Sequence, residues 1–203
     1  MNQKNTIIYF GMGCFTDTDV TVVKQLQKEY SVHWYVLHQP HDPYPVSFYA
    51  DFVKNSGVKL HMLHITNRRR SFKVLELMFK TFTEIVELSP SLIYSCCFDF
   101  YFSLAYLIKA KSIPLVFGVH DVIQHSDNRN SIFYHLSYRF SLFVGDMFLQ
   151  FSSNQNKVFK QLYPKLKNSM VGMSIKDYGE VKGEKHVFNN SNIKILFFGS
   201  IQY

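Results

Sequence analysis

The stretch Ser112-Ile113-Pro114-Leu115-Val116-Phe117-Gly118-Val119-His120-Asp121 decides the fold of this chain. From Pro114 to Val119 it is apolar almost without interruption, and it ends abruptly in a histidine and an aspartate. A strand with one wet face alternates polar and apolar residues. An unbroken apolar run of this length reads instead as a strand buried on both faces of a parallel sheet. Working outward, the pattern recurs on both sides. Residues 6–10 run into Gly11-Met12-Gly13, 32–37 into His38 and 58–65 into Thr66. Residues 92–96 run into Cys97-Phe98-Asp99, 147–151 into Ser152-Ser153, and 169–172 form a shorter strand.

Between these runs, apolar residues return every three or four positions, the spacing of a helix with one buried stripe. The first predicted helix starts at Asp17 or Asp19, either of which can cap it, and runs to about Tyr30 with Val22, Val23 and Leu26 on one face. Others cover 46–54, 71–88, 100–111, 132–144 and 153–163, the last capped by Ser153. Over 71–88 the recurring residues are Phe72, Leu75, Phe79, Phe82 and Val86. Strands alternating with helices imply right-handed βαβ units, hence an α/β, Rossmann-like, doubly wound parallel sheet. It occupies residues 1–173. A polar stretch, 174–192, reads as a linker, and 193–203 as the opening strand of a second domain.

The 203 residues are 47% apolar and 18% charged, which excludes wholesale disorder and allows a core without disulfides or metals. Three cysteines, Cys14, Cys96 and Cys97, suit reduced thiols and a cytoplasmic setting better than a disulfide framework. The apolar start is too short for a secretory signal, and no run approaches the roughly 18 apolar residues of a spanning helix. The formal net charge of +7 permits attraction to phosphates or an anionic leaflet. Its one cluster is Arg68-Arg69-Arg70, which a solvated loop explains better than a binding patch. The aromatics sit inside strands and on helix core faces, so no nucleic-acid partner is expected.

In such a sheet, ligands bind at the carboxyl ends of the strands. That rule nominates Gly11, Gly13, Asp99, His120, Asp121 and Ser153. Gly11 and Gly13 leave three readings open: a tight turn, a backbone cradle for substrate, or a dinucleotide loop. Against the last, Thr16 stands where a third glycine belongs, and His38 rather than an acid follows the second strand. This also counts against a small dehydrogenase or other redox domain. His120 at the rim can move a proton or hold a hydroxyl, and Asp121 can fix its tautomer; a purely structural histidine fits the position too. His61 and His64 are three apart on a strand and face opposite sides, so no metal site is expected.

The segment from Ser112 to Val122 resembles the "gIPvvltvHD" strand of GT-B glycosyltransferases, family 4 (group 1) in particular. Ile123-Gln124-His125-Ser126 is similar to the family's "HDxxPH" continuation, with Gln124 for proline. Ser91-Leu92-Ile93-Tyr94, Asp146 to Ser153 and Ile195 to Ile201 match three further family strands in order. Tyr94-Ser95-Cys96 replaces the family's HxH. The resemblance implies retaining transfer of a sugar from a nucleotide-sugar to a glycan or lipid-linked acceptor, in surface polysaccharide or glycan synthesis, with no metal cofactor. His120 and Asp121 then stand at the catalytic position, with Gly11, Gly13, Asp99, His125 and Ser153 on substrate. It implies that the donor is held mainly by a second domain, so these residues alone are expected to show little transferase activity. Expected partners are an anionic inner membrane face, touched peripherally, and a separate chain carrying the donor domain. The alternative is a non-catalytic module that binds nucleotide or sugar, or pairs with another subunit.

Overall fold

The computed structural model describes residues 4–54, 56–66, 71–123 and 132–172. The predicted linker, the strand expected after residue 193, His125 and the Arg68 to Arg70 cluster lie outside them.

Among the described residues seven strands form one all-parallel sheet: β1 (Thr6–Met12), β2 (Ser31–His38), β3 (Lys59–His64), β4 (Leu92–Ser95), β5 (Leu115–Val119), β6 (Met147–Gln150) and β7 (Asn168–Met170). Their order is β3-β2-β1-β4-β5-β6-β7. The chain winds outward one way from β1, then returns to β4 and winds the other way. The reversal leaves a crevice between the carboxyl ends of β1 and β4.

Among the described residues six α-helices follow the strands: α1 (Thr16–Leu26), α2 (Val46–Lys54), α3 (Phe72–Glu87), α4 (Phe100–Lys109), α5 (Ile132–Val144) and α6 (Ser153–Leu162). Successive side chains of a strand point to opposite faces, so each buried strand feeds two cores. Ile8 and Phe10 enter a core completed by α3 to α6, with Phe82, Phe102, Tyr138 and Phe159. Ile7 and Tyr9 enter the other, with Val23 of α1, Trp34 and Tyr49 of α2. Burying each such side chain is worth about 1.5–3 kcal/mol, which is why these strands read as continuous apolar runs.

Three local expectations are corrected. Neither Asp17 nor Asp19 caps α1, which ends at Leu26 rather than near Tyr30; its N-cap is Phe15, with no side-chain cap. Asp19 instead lies on the buried face, one turn from Val23, where the Tyr9 hydroxyl holds it. The cap of α6 is Ser152, whose Oγ accepts from the Gln155 N–H at 3.2 Å; Ser153 is already helical. In α3 the stripe on the sheet is Val74, Met78, Phe82 and Ile85, while Phe72 and Val86 are exposed. The helix carries two neighbouring apolar stripes about 100° apart, and only packing chooses between them.

Candidate functional site

A cavity of about 380 Å³ opens at the carboxyl ends of the strands, lined by residues 12–15, 96–99 and 118–121, with Asp42 and α5 closing its sides. The turn after β1 is tied from below. The Thr16 hydroxyl donates to the Gly13 carbonyl at 2.8 Å and receives a hydrogen bond from the Tyr49 hydroxyl. Thr16 thus does for the turn what a third glycine would not. Gly13 is required by crowding: a Cβ there would stand 2.0 Å from Oδ2 of Asp42. That carboxylate is fixed by the Gln39 N–H at 2.7 Å.

His120 leaves the end of β5 and is clamped between two rings. Phe15 stacks on it at 4.8 Å and 10°, Phe151 at 4.7 Å and 30°. Burial lowers its pKa below the ordinary histidine value, against the opposing charge of Asp121. At neutral pH the ring is therefore neutral, with one nitrogen donating and the other accepting. The Val122 N–H donates to Oε1 of Gln155 at 2.9 Å and anchors the segment to α6. Asp99 lines the cavity while capping α4, accepting from the amides of Tyr101 at 2.8 Å and Phe102 at 3.1 Å.

The charged groups on the cavity wall are the carboxylates Asp42, Asp99 and Asp121; no lysine or arginine stands among the described lining residues. Diphosphates are held by cations and backbone amides, whereas carboxylates only accept hydrogen bonds and suit hydroxyl groups. Phe15, Tyr134 and Tyr138 add aromatic surface for the C–H faces of a ring.

The floor behind the turn is buried. Tyr9 donates to Oδ1 of the buried Asp19 at 2.7 Å, and Oδ2 has no partner among the described residues. Burial pushes the Asp19 carboxyl up to about 7, against the lowering effect of the Tyr9 bond. Cys96 lies 3.2 Å from the Tyr94 hydroxyl, and burial pushes its thiol up to about 12, which makes it a poor nucleophile.

Four nominated residues meet at this cavity: Gly13, Asp99, His120 and Asp121. Gly11 stays behind it within β1, packed so that a Cβ would lie 2.3 Å from Oδ2 of Asp19. Ser153 is exposed at the start of α6 and is not among the lining residues. Sequence reasoning missed Asp42, Phe15 and Phe151. All three follow strand ends, of β2, β1 and β6, so the strand-end rule could have found them; no signal in the sequence shows that the two rings meet on His120. Among the described residues no group of three or more His, Cys, Asp or Glu could hold a metal. The pairing of β2 with β3 sets His61 opposite Tyr35 yet brings its ring diagonally to His33, at 3.1 Å between ring nitrogens, and pairs His38 directly with His64 on the other face.

Solved structures share this architecture. UDP-GlcNAc 2-epimerase from Neisseria meningitidis, bound to UDP-GlcNAc, superposes with a TM-score of 0.56 at 13% identity, over 83% of this chain and 46% of that one. Acinetobacter baumannii MurG gives 0.53 at 13%, over 86% and 46%. The lipopolysaccharide outer core galactosyltransferase WaaB gives 0.55 at 13%, over 82% and 45%. The chain has a GT-B-like fold. It spans less than half the length of each of these proteins, and at such identities the likeness shows the fold alone. No family model and no curated protein matches the sequence. Among the described residues no helix is long and apolar enough to cross a membrane.

Proposed function

We propose that this chain supplies the acceptor side of a sugar-transfer site. The donor is a nucleotide-sugar gripped by another part of the enzyme, and the transfer is a retaining one in glycan or surface polysaccharide assembly. The observation that carries this reading is the cavity wall: carboxylates, aromatic rings and a neutral imidazole, with no described cation. Such a wall recognises a neutral, hydroxyl-rich ligand and repels a diphosphate. The superposed structures support it, since they include a galactosyltransferase and an epimerase holding UDP-GlcNAc.

Within that reading, His120 sits at the rim with its ring plane set by Phe15 and Phe151, and its free nitrogen bonds a hydroxyl of the reacting sugar. Asp42, Asp99 and Asp121 accept from acceptor hydroxyls and orient the attacking one. The test is a two-armed NMR titration of the labelled chain, with neutral glycosides and short oligosaccharides in one arm and UDP in the other. Sugars should shift the His120 ring signals to saturation, and His120→Ala, followed on the amides of residues 12–15, should bind them roughly three- to tenfold more weakly, the worth of one hydrogen bond. Binding of UDP at residues 12–15, with no sugar perturbing His120, would make this a nucleotide site and end the acceptor reading.

A further inference from the structure

The cavity is longer than one sugar ring. Its wall reaches from Ile65, just after β3, to His120, just after β5. In the order β3-β2-β1-β4-β5 these ends are four strand steps apart. At about 4.8 Å a step, the separation is roughly 19 Å. The helices give the same span. Val74 and Met78 of α3 line one end, Tyr134 and Tyr138 of α5 line the other, and α4 packs between the two helices. Two interhelix distances of about 8–10 Å come to about 16–20 Å. A volume of about 380 Å³ drawn out over such a length is a cleft for a chain, not a round pocket for one ring. A single pyranose held against His120 leaves the β2–β3 end unfilled.

The two ends differ in chemistry. Around His120 stand Phe15, Tyr134 and Asp121. At the far end Leu37, Ile65, Val74 and Met78 make an aliphatic floor, and the loop after β2 brings the half-buried Asp42 beside it. The Gln39 N–H holds that carboxylate in place at 2.7 Å. An apolar floor with a carboxylate at its margin suits a second sugar ring. The C–H face of the ring covers the floor, and a hydroxyl donates to the carboxylate. A hydrocarbon chain in the same place would strip water from Asp42 and return no hydrogen bond.

We propose that the far end, between β2, β3 and α3, is a second sugar subsite. The acceptor is then an oligosaccharide of at least two linked units, the reacting one at His120 and the next over Leu37 and Val74 beside Asp42. The inference rests on the acceptor reading and narrows it from any hydroxyl-rich ligand to a chain. The substrate must come from an earlier sugar transfer, and the reaction extends a glycan rather than starting one.

The experiment is an NMR titration of the full chain, labelled at methyl groups and histidine rings. The ligands are the methyl glycoside of a neutral hexose, methyl glycosides of linear neutral disaccharides that differ in linkage, and the pentyl glycoside of the same hexose. All should shift the His120 ring. Only the disaccharides should also shift the methyls of Ile65, Val74 and Met78. The best of them should bind about three- to tenfold more tightly than the monosaccharide, the worth of one further hydrogen bond. Gln39 is half-buried, and its backbone rather than its side chain holds Asp42. Gln39→Trp should therefore fold normally by circular dichroism and fill the far end. It should bring the disaccharide back to the affinity of the monosaccharide, whose own affinity should not change. Three results would overturn the subsite and leave the acceptor reading standing. The first is disaccharides binding no better than the monosaccharide, with those methyls silent. The second is a pentyl glycoside that matches both the gain and the shifts, which would make the far end a seat for an apolar aglycone. The third is a folded Gln39→Trp that keeps the full gain. If that variant does not fold, the methyl shifts of the wild-type chain decide alone. No sugar shifting His120 would end the acceptor reading, and the subsite with it.

Discussion

Replacing Asp19 by asparagine tests the chemistry of the buried floor beneath the glycine turn. The folded carboxyl keeps its proton up to about 7, while the unfolded one releases it near 3.9. Between these values the folded state binds more protons, so the contribution is fully present below the unfolded pKa and is lost as pH rises through the folded one. From about pH 5 to about pH 8, the two pKa values give a loss near 2.5 kcal/mol from this residue. Asparagine keeps the acceptor for Tyr9 and removes the titration. Any fixed cost of its amide is the same at both pH values and cancels. Urea unfolding is read conveniently from Trp34, the one tryptophan, which is fully buried. The wild-type curve, minus that of Asp19→Asn, should fall by about 2.5 kcal/mol over this interval. Parallel curves would show that Asp19 ionises normally, and the low-polarity floor described above would be wrong.

Three further outcomes are expected. Phe15→Ala should let water reach His120 and raise its pKa toward the ordinary value of about 6.5, because burial is the main cause of its depression; an imidazole NMR titration measures this, and an unchanged value would refute the ring clamp. Gly118→Ala should destabilise by about 1–3 kcal/mol in urea unfolding, since its Cβ would stand 2.2 Å from Oη of Tyr94, whose ring is packed on Tyr9. His33 is held neutral, its pKa lowered to about 4, chiefly by burial and then by Lys59 and His61. Its folded value lies below the unfolded one, so stability should drop as pH falls from about 6.5 toward 4. His33→Gln should flatten that acid limb, and an unaltered limb would count against it.

The strands and helices were legible because a sheet covered on both faces demands apolar runs, and Pro114 to Val119 is such a run. The rim position of His120 and Asp121 followed from where that run stops. What stayed hidden depends on register and on choices between equal local patterns. Nothing in the spacing of His33 and His61, 28 residues apart, announces that β2 and β3 pair to bring their rings together. Asp19 has the composition and place of a helix cap, and only the fold reveals that Tyr9 reaches it. Val74 and Leu75 are equally good starts for a buried stripe on α3, and the sheet takes the first. The partners of His120 were invisible because Phe15 follows β1 and Phe151 follows β6, far apart in the chain.

That last arrangement has an evolutionary consequence. One imidazole is gripped by rings from two loops that do not otherwise need each other, so drift at either position loosens the same histidine. Among relatives, the residues aligned with Phe15 and Phe151 should therefore change together or not at all, and a lineage that shrinks one should also have abandoned the histidine between them.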